Sequence, residues 1–137
     1  MKTLKLNSSI WIWATALFAI LFGLLTIISG GSVLFNAQAQ QAAGDYVEFV
    51  VWFNFLAGFA YVIAGMGLWL LQRWSIWLSL LIVGATLAIL AAFGGHILSG
   101  GAYEMRTLVA MGLRLAVWSV ISAIAYRYLN SKLEILP

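Results

Sequence analysis

Arg114 carries the strongest functional signal in this 137-residue chain. It stands inside an apolar run, about seven residues and roughly 10 Å below the expected start of that run at 1.5 Å per residue. A guanidinium at such depth in a bilayer costs several kcal/mol unless it snorkels to the surface, meets water or finds an acceptor. At 100° per residue, Tyr103, Thr107 and Trp118 fall within about 40° of its helix face, whereas Glu104 and Arg106 lie about 80° to either side. A partner from another segment is therefore expected. Asn54, Glu48 and the Tyr61 hydroxyl are the candidates, with Thr86 and Ser29 weaker. Glu48 and Asn54 are about 120° apart around a helix, so one face does not present both squarely. Three roles are open for Arg114: fixing helix packing or reaching lipid phosphates with its long stem, forming an anion, quinone or proton site, or contacting a partner subunit.

His96 is the single histidine. Beside Glu104 it would form a proton-linked pair, and otherwise it is a loop histidine at the headgroup level. Glu48, Glu104 and Arg106 read first as solvated ends of apolar segments. No metal site is expected, because one histidine with scattered carboxylates lacks any ligand spacing. Thiolate and disulfide chemistry is excluded by the absence of cysteine. No G-x-S-x-G elbow, phosphate-binding glycine loop or helix with paired acids occurs, so an enzyme acting alone is not expected, nor is a cofactor.

The elements that must position these residues follow from composition. Hydrophobic residues make up 64% of the chain, charged residues 8%, and the mean hydropathy is +1.04, far from a water-soluble domain. Four runs approach the roughly 20 residues a helix needs to cross a bilayer. They lie at about Ile10 to Ile28, Val47 to Leu71, Trp74 to Phe93 and Thr107 to Tyr126. The expected fold is an all-α integral membrane protein, a single domain over 1–137 in which four transmembrane helices form an antiparallel bundle. Lys2 and Lys5 before the first run, with Ala37-Gln38-Ala39 after it, resemble a signal peptide, but the apolar core exceeds the usual 7 to 15 residues. A formal charge of +3 without a basic stripe argues against nucleic-acid binding.

Charges orient the bundle. Lys2, Lys5, Arg73, Arg127 and Lys132 fall on one side with only Glu134, while Asp45, Glu48 and Glu104 face a single Arg106 on the other. Both termini are therefore expected in the cytoplasm, in a bacterial inner membrane. Trp11, Trp13, Trp69, Trp74 and Trp77 cluster at the same boundary, where indoles prefer the headgroup level. Gln72 and Arg73 form a minimal turn between antiparallel neighbours. Asn36 to Asp45 is expected to extend span one as helix until Gly44, and the glycine-flanked segment Gly94 to Gly101 reads as a loop. Small residues recur at four-residue spacing in Thr15, Ala19 and Gly23, in Ala60 and Ala64, and in Gly84, Ala88 and Ala92. Such faces bring helices close in lipid, within the bundle or between proteins.

The run Gly58-Phe59-Ala60-Tyr61-Val62-Ile63-Ala64-Gly65-Met66-Gly67-Leu68-Trp69-Leu70-Leu71, the basic turn at Arg73 and the third span ending at His96 resemble the second hairpin of DoxX-like four-helix membrane proteins. Leu21-Phe22-Gly23-Leu24 with Ser29-Gly30-Gly31 is similar to that family's first span. Two features depart from the pattern: the acidic residue expected in the second span is replaced by Tyr61 or absent, and span four lacks a glycine-rich end. The resemblance implies a four-helix bundle with both ends inside, in some cases a membrane subunit of quinone-linked redox systems. It carries over no site.

The expected function is that of a non-enzymatic accessory, anchoring or assembly subunit of a larger membrane complex. Its partners would be lipids and other membrane subunits or further copies of itself. The alternatives are a small oligomeric transporter or channel for an anion, proton or lipid-like solute using Arg114, and a quinone-linked redox subunit.

Overall fold

A computed structural model describes residues 2–135, with side chains described over residues 10–129. The helices are α1 (Lys2–Phe35), α2 (Ala37–Ala43), α3 (Glu48–Trp69), α4 (Trp74–Leu98) and α5 (Met105–Ile135), and no strand occurs among the described residues. Lipid offers no hydrogen-bond partners, so an apolar segment crossing it must close its own backbone bonds as helix. Four of the helices are long and apolar enough to cross a membrane, and only 28–33% of each apolar window is buried inside the protein. The remaining apolar surface requires a hydrocarbon solvent, and the protein is a multi-pass membrane protein.

Alternating direction brings both helical ends of the chain to one end of the bundle, here the terminal end, together with Arg73 and Arg127. Asp45, Glu48, Glu104 and Arg106 gather at the opposite, loop end. Lys2, Lys5, Lys132 and Glu134, which enter the charge argument, lie outside the residues whose side chains are described. Exposed Trp11, Trp13, Trp69, Trp74 and Trp77 ring the terminal end, with the Trp13 and Trp69 centroids 6.0 Å apart.

The helices neighbour one another in the order α1, α3, α4, α5, and α5 returns only loosely to α1. The α1/α3 interface is the closest. A Cβ added to Gly23 would stand 2.7 Å from the Gly58 carbonyl oxygen, and one added to Gly58 would stand 3.0 Å from the Gly23 carbonyl oxygen. Backbone meets backbone here, the packing mode that drives helix association in lipid. Ala19 and Ala64 are fully buried, while Thr15 and Ala60 are half-buried. In the terminal half the core is built around Ile12, Tyr61, Leu68, Trp118 and Leu129. In the loop half it shifts toward α3, α4 and α5, through Val50, Phe93 and Met111.

Two span ends and the first connection are corrected. Spans one and three do not end at Ile28 and Phe93: their apolar helices run to Phe35 and Leu98. Paired glycines break helices where water competes for the backbone, but in lipid Gly30-Gly31 and Gly94-Gly95 stay helical. Gly30 also lies against Phe55, whose Cβ a new methyl would approach at 3.1 Å. Span four agrees with its expected bounds, as apolar helix over Met105–Leu129. The first connection is not an extension of α1 but a separate helix. Asn36 breaks away and caps α2, its Oδ1 accepting from the Gln38 and Ala39 amides at 2.9 and 3.2 Å, and Gly44 ends it at φ +71°.

Gly58→Val should destabilise the bundle by about 1–3 kcal/mol through overpacking, whereas Gly84→Val, with nothing within 4 Å of the new Cβ, should be neutral. Thermal unfolding of both variants in the same detergent checks the contrast.

Candidate functional site

The shift of the loop-half core toward α4 leaves an opening between α1, α3 and α5. A cavity of about 240 Å³ occupies it, with Arg114 in its lining. α1 contributes Thr26, Ser29, Gly30 and Val33, in which Ser29 and Gly30 stand three and four residues beyond Thr26, and α5 contributes Thr107, Ala110 and Arg114, spaced three and four residues apart, as one helix face requires. α3 adds Val51 and Asn54, α2 adds Ala43, the first turn of α5 adds Arg106, and the connections add Tyr46 and Glu104. At about 30 Å³ per water, this volume admits a small polar group with several waters.

Arg114 lies about 13 Å below Met105 at 1.5 Å per residue, at the deep end of the cavity. Its Nη1 donates to Thr26 Oγ1 at 3.0 Å, and its Cζ stands 5.4 Å from the Phe22 ring centroid, within cation–π range. Among the described residues no carboxylate pairs with it, and its Nε is buried without a partner. Phe22 stacks on Tyr61 at 5.5 Å, and Tyr61 packs on Trp118 at 4.8 Å. Tyr61 and Trp118 are fully buried. The Tyr61 hydroxyl stands close enough to feel the Arg114 charge but closes no hydrogen bond of good geometry. The guanidinium therefore rests on one hydroxyl and an aromatic face, with donor capacity left over.

Of the sequence candidates, Asn54 joins Arg114 in the cavity, its Oδ1 buried and unpartnered. Ser29 lines it as well. Glu104 also lines it, although helix geometry had set its carboxylate off to the side of Arg114. The residue precedes α5, so helical angles do not govern it, and its Oε1 accepts from the Asp45 amide at 2.9 Å. Tyr103 is freed from the helical face for the same reason and packs edge-on against Phe93 at 6.1 Å. Gly44 makes the Glu104 contact possible, since any side chain there would strike that carboxylate. Thr107 lines the cavity, as its shared face with Arg114 implies.

Glu48 is exposed on the first turn of α3, where the helix dipole favours a negative charge, and is not in the cavity lining. Thr86 turns inward on α4, donating to the Ile82 carbonyl at 2.7 Å. His96 is corrected from a loop residue to the last turn of α4. Its Nε2 is 2.9 Å from the Ala102 carbonyl. That carbonyl only accepts, so Nε2 bears the proton. The ring sits edge-on to Phe49 at 6.3 Å, and no hydrogen bond or ion pair joins it to Glu104. No cluster of metal-ligating residues occurs among the described residues.

Sequence reasoning missed Thr26 and Phe22. Thr26 is three residues beyond Gly23 and seven beyond Ala19, so the small-residue face of span one, followed one turn further, already pointed to it. Thr26→Val keeps the shape and removes the acceptor. The loss should cost about 1–3 kcal/mol in unfolding free energy, measured by equilibrium denaturation in mixed micelles.

Comparison with protein-family models, curated proteins and solved structures finds no match to this chain, so the site is read from its own geometry.

Proposed function

We propose that the protein is a non-enzymatic membrane binding protein that takes the anionic head of a lipid-like molecule, a carboxylate or phosphate, at Arg114 and carries it within the membrane. One observation carries this reading: a guanidinium at the deep end of a cavity that also holds Thr26, Ser29, Asn54 and Thr107, with neutral partners only among the described residues and a buried Nε left unpaired. A carboxylate or phosphate accepts two parallel bonds from the guanidinium fork, which no neutral group in the cavity supplies. Arg106 and Arg114 face one lining carboxylate, Glu104, whose Oε1 is engaged by the Asp45 amide, so the lining charge favours an anion. With both termini in the cytoplasm of a bacterial inner membrane, the cavity lies in the outer half of the bilayer.

Native mass spectrometry of gently extracted protein tests the reading. The parent should retain an anionic lipid, Arg114→Leu should lose at least about tenfold of that occupancy, and Arg114→Lys should keep part of it, since lysine binds as a point charge without the fork. Equal retention by parent and Arg114→Leu would leave the arginine a packing residue.

A second reading, the accessory or assembly subunit, is favoured by a separate observation. Gly84, Ala88 and Ala92 are all exposed on α4, with nothing within 4 Å of a Cβ built on Gly84. A smooth face left outside its own bundle suits close packing against another transmembrane helix, of a second copy or a larger complex. On this reading Ala88→Trp should abolish co-purification of any companion chain or dimer without changing the monomer's thermal midpoint. An unchanged assembly on size exclusion with light scattering would reject it.

A further inference from the structure

We infer that the α1/α5 seam below Arg114 holds the single hydrocarbon tail of the molecule whose anionic head the cavity takes; this inference rests on the head-binding reading above. α1 and α5 are the least closely packed of the neighbouring spans. Along the terminal half of their seam runs an apolar groove of about 420 Å³, lined on α1 by Trp11, Thr15 and Phe18 and on α5 by Val117, Val120 and Ile124. Thr15, its hydroxylated wall residue, donates to its own helix at the Trp11 carbonyl, 2.7 Å away, and so offers the groove little polarity.

Ring contacts bridge the cavity and the groove along this seam. Phe22, under the Arg114 guanidinium at 5.4 Å, stacks at 5.7 Å on Phe18, which lines the groove. On α5, Val117 follows Arg114 by about one turn. A molecule whose head reaches Arg114 has polar surroundings toward the loop end, from Thr26, Ser29, Asn54 and Thr107. Its tail therefore leaves toward the terminal end. From Ala116 to Ile124 the groove runs about 12 Å at 1.5 Å per residue, a large part of one leaflet's share of a hydrocarbon core of about 30 Å. One acyl chain fits that length, and one narrow seam accommodates one chain better than two. The chemistry is that of a single-chain amphiphile with a carboxylate or phosphate head, lying with its head toward the loop end.

The test uses the full-length protein in nanodiscs and two photoreactive probes with the same diazirine-bearing acyl chain: a monoacylglycerol phosphate and the corresponding uncharged monoacylglycerol. After illumination, adducts are mapped by mass spectrometry. The phosphate probe should label residues 11–18 of α1 and 116–124 of α5 at least about fivefold above the outward face of α4. The uncharged probe should not show that preference, and the enrichment should fall away in both Arg114→Leu and Ala116→Trp, the latter filling the groove. Uniform labelling around the bundle by the phosphate probe, with the same probe still retained in an Arg114-dependent way, would overturn the tail groove and leave the head site standing. Groove labelling that is equal for the two probes and indifferent to Arg114→Leu would overturn the head-binding reading together with the inference built on it.

Discussion

A guanidinium held among transmembrane helices with no paired carboxylate among the described residues is the constraint around which this bundle is organised. Pairing it with Glu48 or Glu104 would neutralise the charge and close the site. Instead, Arg114 is supported by Thr26 Oγ1 and the face of Phe22, contacts that lower its cost without cancelling its field. The rest of that cost is met by access to the cavity, whose lining extends to Glu104 and Arg106 at the loop end. Charge, aromatic support and an opening to polar surroundings form one arrangement.

That opening depends on packing elsewhere. The α1/α3 interface is drawn together by glycines whose backbones nearly touch, which holds α1 toward α3 and away from α5. In the loop half, Val50, Phe93 and Met111 concentrate the apolar core among α3, α4 and α5. The fourth edge of the bundle is left slack, polar above Arg114 and apolar below it. A lipid-facing seam of this kind gives an amphiphile a lateral approach that a tightly closed four-helix bundle would deny.

Much of the fold was legible in the residues, though the errors share a cause. Hydropathy located all four crossings, and the absence of any linker between Leu71 and Trp74 beyond Gln72 and Arg73 required an antiparallel hairpin. Helix ends were misplaced where glycine pairs follow Ile28 and Phe93, since helix-breaking tendencies known from water weaken when no solvent competes for the backbone. The same error put His96 in a loop. At the site, the depth of Arg114 and its shared face with Thr107 were readable, but its acceptor is neither one of the stronger candidates on span two nor the weaker Ser29 and Thr86: it is Thr26, on span one.

Local properties were decided by the chain itself: four helices, their alternating direction, the gathering of tryptophans with Arg73 and Arg127 at one end and of Asp45, Glu48 and Glu104 at the other, and the depth of one arginine. Each follows from closing backbone hydrogen bonds in hydrocarbon and from the rise and rotation of a single helix, which no neighbour alters. Only the tertiary structure decided how each helix is turned about its axis. That rotation placed Thr26 rather than Asn54 against Arg114 and turned Gly84, Ala88 and Ala92 outward, while the folding of the two connections brought Glu104 onto the Asp45 amide. In lipid the outside of a bundle is as apolar as its inside, so hydrophobic pattern does not select a face, and the choice falls to close packing between segments far apart in the chain.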